Sequence, residues 1–339
     1  MEPEFGLCFR DRLWDELTAT GVPVHDLGPV RFSRPWTVWQ ARWRLTRLVR
    51  QRAFDAIVTH AAWSHAAFAS VVRRSNIRLV HWVHDPMTGQ GNHFEEWAAR
   101  IPPNLAVANS RFTSATVSRI FPGVRTEVVY LPVAPVALDG QDDSRLAVRQ
   151  ELLTSTNDTV ILQACRLERW KGHAVLIDAL GRLRNLPGWT AWIAGGPQKA
   201  GEAEYLAELC RRAGEVGVVD RVRFLGQRSD VHRLMAAVDV LCQPNTGPEP
   251  FGIAFVEALY AGKPVVTAAI GGGCEVVDPG CGILVPPNDP TAVAAALGEL
   301  IADPDRRSAL GGAGPERAKS LCDPARQLGR VANLLGAAA

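Results

Sequence analysis

The sequence predicts an α/β protein of two domains, each built around a parallel β-sheet. Short apolar, β-branched runs alternate with helical patterns along the whole chain, and this alternation is typical of βαβ units. A length of 339 residues suits about two domains, each with its own core. Residues 132–143, which contain Pro and Asp, separate the two series and predict a linker. We expect a ligand cleft between the domains, since domain interfaces commonly form one.

The first domain, residues 1–135, is predicted as alternating strands and helices. The strand-like runs are residues 4–9, 22–27, 56–60, 78–83, 105–108 and 127–131. The helical patterns are residues 12–20, 35–52, 63–74 and 110–121.

The second domain, residues 144–312, repeats this order. Its predicted strands are residues 159–164, 190–194, 222–225, 238–243, 264–267 and 282–285, with helices between them. Residues 290–302 and 315–335 also show helical patterns, so the chain is predicted to end in helices. We treat residues 313–339 as a separate terminal helical segment that can pack back on the first domain.

Composition and charge exclude several classes of protein. With 47% hydrophobic residues and a net charge of +2, the chain is neither disordered nor a general nucleic-acid binder. Its seven cysteines are scattered without a CxxC pair, which argues against a disulfide framework or a zinc site. The start lacks the parts of a signal peptide, and no apolar run reaches the ~18 residues of a membrane span. We therefore expect a cytoplasmic protein, with peripheral contact at the inner face of the plasma membrane as a further expectation.

The predicted helix at 35–52 has an unusual surface. Seven arginines and no acidic residue lie between Leu27 and Phe54. At ~100° per residue, one stripe of this helix is aliphatic and the opposite stripe carries tryptophans and arginines. The outward residues are Trp36, Trp39, Trp43, Arg47 and Arg50. This pattern favours contact with anionic lipid headgroups. The alternative is that an adjoining loop or a partner subunit covers the tryptophans.

The stretch PEPFGIAFVEALYAG, residues 248–262, predicts a binding site for a phosphorylated, hydroxyl-rich ligand. Apolar residues at every fourth position indicate a helix that begins near Phe251. Its N-terminus offers unpaired N–H groups to an anion, and Gly252 lets a ligand approach the backbone. Glu249 before the helix and Glu257 within it can accept hydrogen bonds from ligand hydroxyls. A glycosidase acid–nucleophile pair is the alternative for these carboxylates, although a helix start beside a basic loop fits ligand binding better.

Loops after other predicted strands carry further candidate contacts. Arg166 and Lys171 follow the strand at 159–164, at the edge where open α/β sheets bind ligands, and can hold a diphosphate. Gly195 and Gly196 follow the next strand, and a glycine cluster begins at Gly271. The alternatives are a solvated surface pair for the cations and tight turns or a mobile loop for the glycines. No GxGxxG or Walker loop is present, so a nicotinamide oxidoreductase lacks its fingerprint.

Together these motifs resemble the retaining glycosyltransferases of family GT4, which have the GT-B fold of two Rossmann-like domains facing across a cleft. The second half carries the motifs in order: Arg166 with Lys171 and Gly172, Gly195 and Gly196, Gly226, residues 237–239, Pro244, EPFGIAFVEALYAGKPVV, Gly271 and Gly272 with Glu275, and Gly282–Val285. The E-x7-E pattern in the longest motif is highly specific. In the first half ELTATGVPVHDL, DAIVTH, LVHWVHDP and VANSRFTSATV fit more weakly, so the likeness covers nearly all of the chain.

The resemblance implies a hexosyltransferase-like enzyme. It would move a sugar from a nucleotide diphosphate sugar to a glycan or lipid-linked acceptor of the cell-envelope or exopolysaccharide type. It would need no metal and no cofactor. Donor binding would use Arg166, Lys171, Gly195, Gly196, Gln227, Val231, Glu249, Phe251, Gly252, Ile253 and Glu257. Among these, Arg166 and Lys171 would hold the diphosphate, Glu249 the sugar hydroxyls, and Glu257 the ribose.

On the acceptor side the resemblance implies His84, which follows the strand at 78–83, with Asn109 and Ser110 nearby. The catalytic set would be Glu249, His84, Arg166 and Lys171. The alternative for His84 is a histidine hydrogen-bonded within a loop. The only DxD pattern, at residues 303–305, is interpreted as a turn and not as a metal motif.

The resemblance begins one structural unit late. In the family a strand, a Gly-rich loop and a helix, about 30 residues, normally precede the part that residues 1–9 resemble. We expect a truncated or wrongly started sequence, because loss of a central strand leaves sheet edges unpaired. Two alternatives remain open: a sheet that closes directly on the second strand, and a catalytically silent nucleotide-sugar-binding protein.

Overall fold

The computed structural model describes residues 2–89, 91–135 and 141–336. The chain forms two compact units, one comprising residues up to Val129 together with those from Leu328 onward, and the other running from Tyr130 to Gln327. Both are α/β units with parallel sheets, which confirms the predicted fold class. Of the predicted linker, residues 136–140 lie outside the described residues, and residues from Gln141 belong to a helix.

Unit 1 contains two separate parallel sheets. Its strands are β1 (Phe5–Leu7), β2 (Val24–Asp26), β3 (Ala56–His60), β4 (Arg78–Val83), β5 (Leu105–Ala108) and β6 (Thr126–Val128). Strands β1 and β2 pair with each other, and the other sheet has the order β3-β4-β5-β6. Within the described residues, no strand joins these two sheets.

The helices of unit 1 cover both short and long segments. They are α1 (Arg12–Ala19), α2 (Pro35–Gln51), α3 (Ala62–Arg74), α4 (His93–Ala98) and α5 (Arg111–Ser114). The last helix, α14 (Pro324–Gly336), contributes Val331 to the apolar cluster around Val80 and Leu105. Its Leu334 carbonyl also accepts a hydrogen bond from Arg78 at 2.7 Å. Residues from Leu328 onward therefore pack as part of unit 1.

Helix α2 has the two faces that its sequence predicts. Val38, Ala41 and Leu45 are buried in the core of unit 1. The opposite tryptophans, Trp36, Trp39 and Trp43, are 59%, 67% and 54% exposed. This helix therefore presents aromatic side chains to solvent in the described chain.

The predicted continuous helix at 110–121 is wrong. Helix α5 ends after Ser114, and a separate 3-10 turn covers Val117–Arg119. The threonine hydroxyls bond back to the chain: Thr113 donates to the Ser110 carbonyl at 3.1 Å, and Thr116 donates to the Thr113 carbonyl at 2.6 Å. Such local bonds compete with helix propagation and end the helix early.

Unit 2 has one parallel sheet of six strands. They are β7 (Thr159–Ala164), β8 (Trp189–Ala194), β9 (Val222–Gly226), β10 (Val240–Gln243), β11 (Val265–Ala268) and β12 (Gly282–Val285). The spatial order is β12-β11-β10-β7-β8-β9. The chain runs outward from β7 to β9 and then resumes on the other side of β7 at β10. The strand order therefore reverses between β7 and β10, and open α/β sheets bind ligands at the carboxyl end of such a switch point.

Helices cover both faces of this sheet. They are α6 (Gln141–Glu151), α7 (His173–Arg182), α8 (Glu202–Glu215), α9 (Val231–Ala237), α10 (Ile253–Tyr260), α11 (Gly273–Val276), α12 (Pro290–Ala302) and α13 (Pro304–Cys322). Trp189 belongs to the core on one face and Trp192 to the core on the other, as the alternation of a buried strand requires. Among the described residues, no helix combines the length and apolarity that crossing a bilayer would take.

The predicted start of a terminal helix at Pro315 is wrong, because α13 begins at Pro304. The Asp303 carboxylate caps it by accepting the Arg306 N–H at 2.8 Å. The DxD pattern is therefore a helix start and not a free turn. Close packing also holds this helix, because a Cβ at Gly311 would lie 2.3 Å from the Gly262 carbonyl oxygen.

A cluster of buried and half-buried charges anchors α6 to the sheet of unit 2. Arg149, which is 1% exposed, contacts Asp239 at 2.6 Å, and Arg145 contacts the same carboxylate at 2.7 Å. Burial opposes ionisation of Asp239, but the Val160 N–H and the two arginines lower its pKa below its ordinary value. Arg149 also donates to the Ala237 carbonyl at 2.9 Å. One guanidinium thus satisfies both a half-buried carboxylate and backbone acceptors.

Replacing Arg149 with Met should lower the free energy of unfolding by about 3 kcal/mol, because buried acceptors lose their donor and Asp239 loses one of its two cations. Urea unfolding, followed by circular dichroism, measures this change. Arg306→Met is the control: it breaks the Arg306–Glu299 pair, whose side chains are both 48% exposed, and should cost less than about 1 kcal/mol. Equal effects of the two variants would contradict the anchoring role.

Candidate functional site

The loops after β7 and β10 bring polar side chains together at the switch point of unit 2. Lys171 ends the 3-10 turn Arg169–Lys171 that follows β7. Gln243 is the last residue of β10, and Asn245 and Glu249 follow it. All four side chains are buried, although each is polar or charged. Buried polar groups need hydrogen-bond partners, and these four side chains bond to one another.

The four residues form one network around a single carboxylate oxygen. Glu249 Oε2 lies 2.7 Å from Lys171 Nζ, 3.0 Å from Gln243 Nε2 and 3.0 Å from Asn245 Nδ2. The other oxygen, Oε1, contacts no donor among the described residues. Lys171 Nζ also lies 4.1 Å from the centre of the Trp170 ring, in a cation–π contact. One oxygen of Glu249 is therefore fixed by the protein, and the other remains able to accept a hydrogen bond from a ligand.

Gln243 and Asn245 are site residues that the sequence motifs did not single out. Their signal in the sequence is weak: two amides flank Pro244 at the end of a predicted strand. Only the fold shows that both amides donate to the carboxylate that the sequence predicted as central.

Glycine makes the close approach of these loops sterically feasible. Gly172 has φ +78°, and a Cβ there would lie 1.9 Å from the Pro244 carbonyl oxygen. The Thr246 N–H donates to the Trp170 carbonyl at 2.8 Å, which ties the two loops together. Any larger residue at position 172 would push Lys171 away from Glu249.

Helix α10 begins at Ile253, two residues later than predicted. Gly252 precedes it with φ +101°, and a Cβ there would lie 2.4 Å from the Phe255 ring. Phe251 is buried and stacks on Tyr130 at 5.8 Å, so only its backbone is available to a ligand. The first N–H groups of α10 lack helical acceptors by geometry. The helix start after Glu249 therefore offers free N–H groups, as the predicted anion site would require.

The glycine cluster at 271–273 packs against the backbone of the loop that carries Glu249. The Gly272 N–H donates to the Glu249 carbonyl at 2.6 Å. A Cβ at Gly271 would lie 2.5 Å from that same carbonyl oxygen, and one at Gly272 would lie 2.3 Å from the Pro250 carbonyl oxygen. These glycines are thus needed for backbone packing, which accounts for the cluster without a ligand contact.

The other two predicted charged contacts have different surroundings. Glu257 is exposed on α10 and has no hydrogen-bond partner among the described residues. Its pKa is raised, because the surrounding protein weakens hydration of the carboxylate and no donor replaces the lost water. Arg166 is also exposed, and it contacts Glu168 at 2.9 Å. Both side chains are therefore open to solvent, whereas Lys171 and Glu249 are largely buried.

The predicted contacts at β8 and β9 lie side by side. A Cβ at Gly195 would lie 2.2 Å from the Cys165 carbonyl oxygen, and one at Gly196 would lie 2.8 Å from the Gln227 backbone nitrogen. Packing alone therefore requires both glycines. Gln227 is exposed, and Val231 is half-buried at the start of α9.

In unit 1, the predicted acceptor-side residues lie at the carboxyl ends of β4 and β5. Asn109 is buried, and its Nδ2 donates to the His84 carbonyl at 2.9 Å. Ser110 caps α5 by accepting the Thr113 N–H at 3.0 Å. His84 is half-buried, and its Nε2 lies 2.8 Å from Nδ1 of His60. Asn109 and Ser110 thus shape the loop, whereas the His84 ring is held by a second histidine that the sequence motifs did not single out.

Two family models match the chain. "Glycosyl transferases group 1" matches residues 144–317, and "Glycosyl transferase 4-like domain" matches residues 6–135. The D-inositol 3-phosphate glycosyltransferase of Corynebacterium urealyticum is 31% identical over 294 residues, which cover 78% of this chain and 68% of that protein. The glycogen synthase of Mycobacterium tuberculosis is 29% identical over 296 residues, which cover 84% of this chain and 64% of that protein.

Solved structures are similar over nearly the whole chain. Anabaena Alr3699/HepE in complex with UDP has a TM-score of 0.87 at 25% identity, with 98% of this chain and 91% of that chain covered. The same protein has been solved with UDP-glucose, and that structure gives a TM-score of 0.85. WaaG, a glycosyltransferase involved in lipopolysaccharide biosynthesis, has a TM-score of 0.71 at 17% identity and shows the likeness of fold alone.

Replacing Lys171 with Met should lower the free energy of unfolding by about 3–5 kcal/mol, because the buried Glu249 carboxylate loses its cation. The double variant Lys171→Met/Glu249→Gln should recover part of that loss, since no buried charge then lacks a partner. Urea unfolding of the wild type, both single variants and the double variant completes the cycle. Strictly additive losses would show that the two side chains do not depend on each other.

Proposed function

We propose that this chain transfers a sugar from a uridine diphosphate sugar to a glycan or lipid-linked acceptor. The proposal starts from the family of the chain, which belongs to the glycosyl transferases of group 1. The observation that carries this proposal is the arrangement of Glu249. One carboxylate oxygen is held by three donors, and the other has none among the described residues. A carboxylate fixed in this way accepts a hydrogen bond from a sugar hydroxyl without having to reorganise.

The choice of a uridine nucleotide rests on similarity. Anabaena HepE, whose structure matches 98% of this chain, has been solved with UDP and with UDP-glucose. In this chain, Arg166 and Lys171 offer cations to a diphosphate, and the start of α10 offers backbone N–H groups. Glu257, without a partner among the described residues, offers its carboxylate to ribose hydroxyls. Gln227 and Val231 would border the base, and the backbone at Gly195 and Gly196 would approach the donor.

The proposed reaction retains the configuration of the transferred sugar. The acceptor hydroxyl would attack the anomeric carbon on the face from which the diphosphate departs, and its proton would pass to the departing diphosphate oxygen. His84 would lie near the reacting sugar. Charge that develops on the leaving diphosphate would be stabilised by Lys171, Arg166 and the N–H groups at the start of α10. These cations would supply the positive charge that metal ions supply in other enzymes, so we propose a metal-independent reaction. The acceptor is proposed to be of the cell-envelope or exopolysaccharide type.

Replacing Glu249 with Gln should reduce the rate of transfer by at least about 100-fold, because the sugar loses a fixed anionic acceptor of its hydrogen bond. A coupled assay for released UDP measures the rate, and proton NMR of the product tests whether its anomeric configuration matches that of the donor. Glu299→Gln, on the exposed face of α12, is the matched control and should keep the wild-type rate.

The donor is identified first, by a thermal-shift screen of nucleotide sugars. We expect UDP-sugars to raise the melting temperature more than GDP- or ADP-sugars. A near-normal transfer rate in the Glu249→Gln variant would contradict the proposed role of this residue. A donor that stabilises the protein but supports neither transfer nor hydrolysis would point instead to a silent nucleotide-sugar-binding protein.

We also propose a peripheral membrane contact through the exposed face of α2. Trp36, Trp39 and Trp43 are each more than half exposed, and the Arg47 guanidinium lies 6.0 Å from the centre of the Trp43 ring. Among the described residues, no carboxylate lies within 4.0 Å of Arg47 or Arg50. Tryptophan favours the interface between headgroups and acyl chains, and unpaired arginines are attracted to anionic lipids such as those of the cytoplasmic leaflet. A lipid-linked acceptor would be presented at such a surface.

The wild type should float with vesicles that contain anionic lipid and not with purely zwitterionic ones. Changing Trp36, Trp39 and Trp43 together to Ser should weaken binding by more than about tenfold, because apolar area at the interface is lost. Leu153→Ser/Val219→Ser removes apolar side chains that are 83% and 54% exposed elsewhere and should leave flotation unchanged. Wild-type protein that stays at the bottom of the gradient would contradict the contact, and a dimer in sedimentation would indicate a partner subunit instead.

A further inference from the structure

Three parallel rings lie at the carboxyl ends of β3 and β4. His60 ends β3 and pairs in register with Trp82 of β4, and His84 follows β4. The ring planes of Trp82 and His84 differ by 2°, and those of His60 and His84 differ by 17°. The two imidazole centres are 5.1 Å apart. The sheet therefore places both histidines and the indole in one array.

The two histidines share one proton position. Nδ1 of His60 and Nε2 of His84 are 2.8 Å apart, which is hydrogen-bond distance. A hydrogen bond between two imidazole nitrogens needs one N–H and one lone pair, so a single proton lies between the rings. The state of His60 Nδ1 therefore decides which nitrogen of His84 is protonated. No protein group among the described residues contacts the other nitrogen of His84, Nδ1.

The surroundings keep this pair uncharged near neutral pH. Burial lowers the pKa of His84, with the neighbouring Asp85 acting in the opposite direction. The pKa of His60 is lowered to about 4, because neighbouring protein atoms weaken hydration of the ring although part of it is exposed, and because a second charge would face His84. Two further imidazoles lie in the same part of unit 1. Burial lowers the pKa of His81 on β4 to about 3, and burial also lowers the pKa of His65 on α3.

A second histidine cluster in unit 1 differs from the His60–His84 pair, because its rings bond within the core. Thr59 Oγ1 lies 2.8 Å from His65 Nδ1 and 3.0 Å from His81 Nδ1, and His65 Nε2 lies 2.8 Å from the Ile101 carbonyl oxygen. Those rings are buried and His65 uses both of its nitrogens on the protein. His60 is exposed, and its contact with His84 lies at the sheet edge where α/β sheets bind ligands.

We propose that His60 is a positioning residue that fixes the tautomer and ring orientation of His84, so that Nδ1 of His84 meets a sugar hydroxyl. The Asn109 amide holds the backbone of His84 at the same time, because it donates to the His84 carbonyl at 2.9 Å. The ring pairing stands on geometry alone. The identity of the hydroxyl, on the transferred sugar or on its acceptor, rests on the proposed transferase function.

The test compares His60→Phe, which keeps a ring without nitrogen, with His60→Asn, which keeps an amide near the position of Nδ1. His60→Phe should lower kcat for sugar transfer by at least about tenfold, while the KM for the donor changes less than about twofold. His60→Asn should restore most of kcat. His93→Phe, an exposed histidine on α4, is the control and should keep the wild-type kcat.

Nitrogen-15 NMR of the His84 ring supplies a second measurement that needs no turnover. The wild type and His60→Asn should each show one tautomer, and His60→Phe should show the averaged shifts of a mixture. An unchanged kcat, or an unchanged His84 tautomer in His60→Phe, would overturn the inference. If the wild type transfers no sugar, the proposed function fails while the NMR experiment still decides the pairing.

Discussion

The buried ion pair between Lys171 and Glu249 is the constraint on which the loops of unit 2 depend. Removing two charges from water costs several kcal/mol per ion, and the cost is offset only when geometry and further hydrogen bonds are good. Gln243 and Asn245 supply those bonds to the same carboxylate oxygen. The loops after β7 and β10 must therefore approach within contact distance. The loops can approach each other because β7 and β10 are neighbours in the sheet, at the switch point where the strand order reverses.

Glycines are placed where the backbone itself must come close. Gly172 lies against the Pro244 carbonyl, and Gly271 and Gly272 lie against the loop that carries Glu249. A side chain at any of them would meet backbone atoms, which cannot move aside as a flexible side chain can. The glycines of the site thus hold Glu249 in place from two directions. The carboxylate is thus fixed in advance, which is the preorganisation that the proposed donor site requires.

The two glutamates of the E-x7-E pattern show how one motif yields two kinds of carboxylate. Glu249 is buried and held by three donors, whereas Glu257 is exposed and has no partner among the described residues. Unit 1 shows a similar division among its histidines. His65 and His81 are bonded within the core, and His84 keeps one nitrogen available at the sheet edge. In both units, groups suited to a ligand lie at the carboxyl ends of parallel strands.

The sequence by itself determined the features that depend on local periodicity and motif spacing. The fold class, the strands at 56–60, 78–83 and 159–164, and the two faces of α2 were all predicted correctly. These features depend on alternation and on the helical repeat, which are properties of residues close together in the sequence. The sequence also pointed to Glu249 and Lys171. Tertiary structure decided their direct contact across 78 positions, the part of Gln243 and Asn245, and the pairing of His60 with His84. These contacts form when distant strands become neighbours, and the local residue pattern does not contain that information.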